Sequence, residues 1–143
     1  MSDEHPLPLV SVIIPMYNEE AVADRSLDAV LGHIDGLRDR FRFEVLVVDD
    51  GSTDATAEAV EAVSSRHAEV RLLRHPTNFR LGQALRFGIG QSRGDYLVTF
   101  DADLTYSVEH ITQLLDAIES SSARIVIASP YMKGGDSCFG SSG

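Results

Sequence analysis

The sequence predicts an α/β protein of three layers, with a mostly parallel sheet covered by helices on both faces. Short apolar runs alternate strictly with amphipathic stretches of helical period, which is the chain order of a parallel sheet built from β-α units. The runs are continuous rather than alternating, as expected of strands buried on both faces. Two of them stop in carboxylates, at Asp49-Asp50 and at Asp101-Ala102-Asp103. Acidic side chains therefore gather at one edge of the sheet, where open α/β folds bind their ligands.

Residues 9–14 form the first apolar run, and Pro15 is expected to end it by removing a ladder donor. Over residues 19–40, Val22, Leu27, Val30, Leu31, Ile34, Leu37 and Phe41 recur at spacings of three and four, the signature of an amphipathic helix. Residues 43–48 read as the second strand. Ser52, Thr53 and Asp54 then supply capping side chains for a helix carrying Ala57, Val60 and Val63. Residues 70–73 read as a short third strand, followed by a Pro-containing loop at 75–78. A helix over 81–91 is weakened by Gly88 and Gly90, each costing up to ~1 kcal/mol against Ala. Residues 96–100 read as the fourth strand, and Val108, Ile111, Leu114, Leu115 and Ile118 mark another helix. Residues 124–128 read as a fifth strand. The connections between parallel strands are expected to be right-handed.

The 143 residues suit one domain with a substantial core. Residues 1–8 read as a disordered N-terminal segment, 9–132 as the ligand-binding domain, and 133–143 as a flexible Gly/Ser-rich tail without periodicity. A net charge of -10 argues against a nucleic-acid surface, which needs clustered Lys and Arg. A small anionic ligand remains compatible with that charge if a divalent cation bridges it to carboxylates. Cys138 is the only cysteine, which excludes an intrachain disulfide and fits a reducing compartment. No stretch reaches the roughly 20 apolar residues of a membrane span, and the first residues do not form a signal peptide, so a cytoplasmic location is expected.

Alternation along an extended backbone points Asp101 and Asp103 the same way, their Cα atoms roughly 6.6 Å apart at ~3.3 Å per residue. Such a pair can divide the work, one carboxylate on a hard cation and the other on a ligand hydroxyl, since Mg²⁺ binds one or two carboxylates plus substrate phosphates. Two solvated aspartates in a turn are the plain alternative. Asp49-Asp50-Gly51-Ser52 is ambiguous in the same way, between turn chemistry and ligand contact, and acidic strand ends also occur in phosphoryl-accepting receiver domains. Asp54 reads as a helix cap. After the first strand, Tyr17 offers a flat face on which a base can stack. Asn18 and Glu19 can either accept from that base or cap the helix.

Taken together, Val12-Ile13-Ile14-Pro15-Met16-Tyr17-Asn18-Glu19-Glu20, Val47-Val48-Asp49-Asp50-Gly51-Ser52-Thr53-Asp54, Asn78 with Gly82-Gln83-Ala84, and Gly94-Asp95-Tyr96 leading into Asp101-Ala102-Asp103 closely resemble the inverting family 2 glycosyltransferases. The chain is most similar to their dolichol-phosphate mannosyltransferase and polyprenyl-phosphate glycosyltransferase branch. The resemblance covers residues 8–131 and implies the Rossmann-like, nucleotide-binding GT-A fold, truncated at its C-terminal side. It implies that Pro15, Tyr17 and Glu19 frame the nucleotide base and that Asp50, with Asp49, contacts base or ribose. It implies that Asp101 and Asp103 are catalytic, holding Mg²⁺ or Mn²⁺ against the diphosphate, with Asp101 also on the nucleotide. The implied partners are a nucleoside-diphosphate sugar and an acceptor, with a membrane polyprenyl phosphate as the candidate. No nucleic acid is expected, and a lipid acceptor would bring the chain to the cytoplasmic membrane surface. Two departures stand out. Thr105 occupies a position where that branch often carries a metal-assisting Gln, and the family's acceptor-binding segments, which follow residue 131, are not found. A donor-binding module lacking its acceptor half is therefore the alternative to an enzyme. A receiver domain would leave the 15–20 loop unexplained.

Overall fold

The computed structural model describes residues 6–102, 108–120, 125–127 and 138–139. Along them run β1 (Leu9–Met16), α1 (Ala23–Asp35), β2 (Arg42–Asp50), α2 (Thr56–Ser64), β3 (Val70–His75), α3 (Arg80–Gln91), β4 (Tyr96–Thr99), α4 (Glu109–Glu119), β5 (Ile125–Ile127) and β6 (Cys138–Phe139). The strands form one sheet in the order β3-β2-β1-β4-β5-β6. It is parallel from β3 to β5, and β6 runs antiparallel to β5. β6 falls in the segment expected to be an aperiodic tail, because so short a pairing leaves no periodic trace in sequence. From β1 the chain steps outward to β2 and β3, then returns to the other side of β1 for β4. The strand order thus reverses beside β1, and a crevice at the carboxyl ends of β1 and β4 is the ligand position such a reversal creates.

Pro15 does not end β1. The strand continues to Met16, and Pro15 pairs with Val48 of β2. The carbonyls of Leu9 and Ile13 accept from Asp95 and Phe100, on the β4 side. Alternation turns the missing N–H of Pro15 to that same side, and β4 has already ended there, with Thr99 opposite Ile13. No ladder bond is lost, so the ring is tolerated. α1 is shorter than the expected 19–40 helix. Residues 36–40 form turns whose i to i−3 bonds, such as Leu37 N–H to the Ile34 carbonyl, tighten the helix end. The apolar period runs on past the helix because Leu37 and Phe41 still dock into the core.

The alternate residues Val10, Val12, Ile14 and Met16 of β1 pack with α1, α2 and α4 in one buried cluster. Ile13, Leu46 and Val48, from the opposite face of the sheet, pack with Ala84 of α3. Each such side chain buried stabilises the fold by roughly 1.5–3 kcal/mol. The connections β1 to β2 and β4 to β5 step in opposite directions across the sheet, yet their helices share a face. The two connections therefore have opposite hands, against the expectation of uniformly right-handed crossovers. Gly88 gives α3 its close seat: a Cβ there would lie 2.7 Å from Ile13 Cγ2 and 3.0 Å from Val48 Cγ2. What sequence reads as a weak helical residue is a contact between layers.

At the amino ends of the strands the buried Glu44 carboxylate ties β2 to its neighbours. It accepts from the Ser11 hydroxyl at 2.6 Å and from Arg93 N–H at 2.7 Å. Those bonds satisfy a charge that would otherwise be costly to bury.

Candidate active site at the carboxyl edge of the sheet

The β1–α1 and β2–α2 loops clasp each other. Asn18 sits at φ 52°, a left-handed conformation that Asn tolerates. Its N–H donates to Ser52 Oγ at 2.9 Å, and its Oδ1 accepts from Thr53 N–H at 2.8 Å. Glu19 N–H donates to Thr56 Oγ1 at 2.8 Å, and Ala55 N–H donates to Glu20 Oε1 at 2.7 Å. Asp54 is not the N-cap expected of it: that position is Ala55, and Asp54, one residue earlier, accepts from Thr56 N–H at 2.9 Å and from the Thr56 hydroxyl, which ties down the entry to α2. Ser52 and Thr53 do not cap that helix; their bonds hold the first loop. Asp54 lies below its ordinary carboxylate value. Some loss of hydration pushes it up, but the bonds from Thr56 and from Glu20 N–H prevail.

These loops stand over a pocket of about 350 Å³ lined by Pro15, Met16, Tyr17, Asp50, Asn78, Arg80, Leu81 and Ala84. Tyr17 is 46% exposed, so one face of its ring is open to a planar ligand. Asp50 is buried at 3% exposure. Its Oδ1 accepts from Phe79 N–H at 2.9 Å and from His75 Nδ1 at 2.9 Å. Gly51, at φ 78°, brings the β2–α2 turn against the next loop so closely that a Cβ would lie 2.2 Å from the Thr77 carbonyl carbon. Arg80 opens α3 at φ 77°, and Asn78 Oδ1 accepts its N–H at 3.1 Å. A non-glycine residue there carries roughly 1–2 kcal/mol of backbone strain. Arg80 lines the pocket together with Asp50.

Of the residues singled out in sequence, Pro15, Tyr17 and Asp50 meet in this pocket. Asp49 does not. Successive strand residues face opposite sides, and Asp49 is fully buried on the α1 side, its Oδ1 accepting from Ser52 N–H at 3.0 Å and its Oδ2 3.3 Å from Arg74 Nε. It is a turn-forming carboxylate. Glu19 does not line the pocket either; its carbonyl accepts from Val22 and Ala23 at the start of α1. Asp101 is exposed just beyond β4, beside the carboxyl end of β1. The Ser26 hydroxyl of α1 donates to the Ala102 carbonyl and fixes the chain there. Asp103 and Thr105 lie outside the described residues. Sequence alone gives Ser26, Arg80 and the Phe79 amide no role, and it gives His75 only that of a surface or core residue. The motif residue Asn78 was the nearest signal.

Among the described residues, no group of three or more His, Cys, Asp or Glu forms a ready metal cluster. An exposed carboxylate at the edge nevertheless suits a hard cation that needs one or two protein oxygens and completes its shell with phosphate and water. Asp101 supplies one such carboxylate oxygen at the edge.

Residues 11–140 match the glycosyl transferase family 2 model. The chain is 38% identical over 126 residues to the dolichol-phosphate mannosyltransferase of Pyrococcus furiosus, covering 88% of this chain and 34% of that protein. It is 40% identical over 116 residues to the undecaprenyl-phosphate 4-deoxy-4-formamido-L-arabinose transferase of Pseudomonas aeruginosa, covering 78% and 33%. The chain thus spans about a third of the length of these relatives. Among solved structures it is similar to the mannosyltransferase PcManGT from Pyrobaculum calidifontis in complex with GDP-Man and Mn²⁺. That similarity has a TM-score of 0.60 and 33% identity, over 71% of this chain and 30% of that one. It is also similar to S. aureus TarS 1-349 in complex with UDP-GlcNAc, with a TM-score of 0.63 and 29% identity, over 80% and 32%. With its Rossmann-like sheet and its motifs at the carboxyl edge, the chain belongs to glycosyl transferase family 2 and has the GT-A fold.

Proposed function

We propose that this chain is the donor-binding part of an inverting glycosyltransferase, taking a nucleoside-diphosphate sugar at the carboxyl edge of β1, β2 and β4. The observation that carries the reading is the convergence of Pro15, Tyr17 and Asp50 on one pocket at the point of strand reversal. In this reading Tyr17 stacks on the base, Asp50 accepts from base or ribose, and Arg80 attracts the diphosphate. A divalent cation, Mg²⁺ or Mn²⁺, held by Asp101 with Asp103, would neutralise charge building on the departing diphosphate. The acceptor oxygen forms its bond to the anomeric carbon from the face opposite the diphosphate, and the bond to the diphosphate breaks, which inverts that carbon. The relatives' names support a polyprenyl phosphate as acceptor. Such an acceptor is already ionised and needs no general base, and it would place the reaction at the cytoplasmic membrane surface.

Calorimetric titration with nucleoside diphosphates in the presence and absence of Mn²⁺ tests donor binding. Release of nucleoside diphosphate from donor plus polyprenyl phosphate tests transfer. Binding with transfer supports the full reading, and binding without transfer reduces it to a donor-binding module. Absence of metal-dependent nucleotide binding overturns it.

A further inference from the structure

Asp50 is held in an unusual way for a ligand-contacting carboxylate. Both described hydrogen bonds fall on one oxygen, Oδ1, from Phe79 N–H and from His75 Nδ1, each at 2.9 Å. A carboxylate only accepts, so His75 carries a proton on Nδ1. The imidazole has little freedom: the Phe87 ring lies against it at a centroid distance of 4.6 Å and 34°, and Phe79 meets it edge-on at 4.9 Å and 90°. An oxygen of a carboxylate offers about two acceptor positions, and those of Oδ1 are taken. Oδ2 is the oxygen left to a ligand in the pocket that Asp50 lines.

We propose, on the basis of the donor-binding reading above, that His75 is a positioning residue that sets the choice of base. By filling Oδ1 it makes Asp50 a reader with a single accepting oxygen. The imide edge of uracil presents one N–H between two carbonyls and matches such a reader. The corresponding edge of guanine presents adjacent N1–H and N2–H₂ donors, which suit both oxygens of a carboxylate. Held against Oδ2 alone, guanine leaves one donor without a carboxylate partner, a penalty of roughly tenfold in affinity where the bound base shields that donor from water. Asn78, whose Oδ1 is committed to Arg80 N–H, keeps its amide NH₂ as a donor for a base carbonyl.

Calorimetry of the 143-residue chain with uridine diphosphate and with guanosine diphosphate, each with Mn²⁺, tests the proposal. Uridine diphosphate is expected to bind ~10-fold tighter. His75→Asn places an amide N–H near the position of Nδ1–H and retains the preference. His75→Leu removes the donor, opens a place on Oδ1 and brings the ratio of the two affinities toward unity. A purely structural role for the ring would weaken both nucleotides alike in both variants and leave the ratio unchanged, which would overturn the proposal. So would equal or tighter binding of guanosine diphosphate by the wild-type chain. If the Leu variant does not fold, ¹⁵N spectra of the wild-type imidazole decide: a protonated Nδ1 is required, and a bare Nδ1 overturns the proposal. Failure of both nucleotides to bind is a different result, which removes the donor-binding reading itself and this inference with it.

Discussion

Replacing Gly51 by Ala strikes both the stability of the chain and the geometry of its pocket. Gly51 sits at φ 78°, where a side chain costs roughly 1–2 kcal/mol. The new Cβ would also lie 2.2 Å from the Thr77 carbonyl carbon and 2.4 Å from Asn78 N, and both neighbours are backbone. Ordinary contacts begin at 3.4 Å, so the 77–78 segment must retreat by about an ångström. The next amide, Phe79 N–H, is the one that holds Asp50 Oδ1 at 2.9 Å. Stretched by that amount it no longer bonds, and a buried carboxylate left short of a donor costs a further ~1–3 kcal/mol. The combined loss is about 2–5 kcal/mol. Urea unfolding followed by circular dichroism measures it, and calorimetry with uridine diphosphate and Mn²⁺ should show weakened binding in whatever fraction stays folded. A Gly51→Ala chain within about 1 kcal/mol of wild type, with nucleotide affinity unchanged, would refute the claim that this turn sets the pocket.

Gly32→Ala is the opposite case: Gly32 lies inside α1 with nothing within 4 Å of a new Cβ, so the variant should be more stable by up to ~1 kcal/mol in the same urea experiment. Asp54→Asn tests the loop clasp through pH. Bonds from Thr56 and Glu20 hold Asp54 below its ordinary value of 3.8, so the stability it contributes is present above that value and is lost as pH falls through the lower folded-state value. Wild type should therefore exceed the Asn variant in melting temperature near neutrality and converge with it in acid. A gap that stays constant across that range would assign the Asp54 effect to shape rather than charge.

The order of elements was legible because each strand is a compact apolar run and each helix a periodic one. The departures arise where tertiary context overrides a local rule. Pro15 reads as a strand breaker, yet it sits where β4 no longer runs alongside, so its missing donor costs nothing. The helical period over 19–40 outlasts α1 because Leu37 and Phe41 reach the core from turns. Asp49 and Asp50 look equivalent as a pair of letters. Alternation in a strand was enough to separate them, and only Asp50 shares a face with Leu46, Val48 and α3. His75, the Phe79 amide and Arg80 were not legible, since their roles depend on how the loop before α3 folds back onto the end of β2. That approach is set by Gly51, whose need for space cannot be read without its neighbour. β6 escaped notice because a short edge pairing needs no sequence pattern of its own.

Mn²⁺ is paramagnetic and broadens the NMR signals of nearby nuclei, so it can report where a metal-nucleotide complex sits. Backbone amide spectra of the chain, recorded with uridine diphosphate and separately with guanosine diphosphate while Mn²⁺ is added in small amounts, test the central claim most directly. Broadening is predicted at Met16, Tyr17, Asp50, Asn78 and Asp101, at the carboxyl edge, and it should disappear in Asp101→Ala. Broadening centred on Gly94, Asp95 and Tyr96, which line a separate cavity with Pro6 and Pro8 at the amino ends of the strands, or no nucleotide-dependent broadening at all, would contradict it.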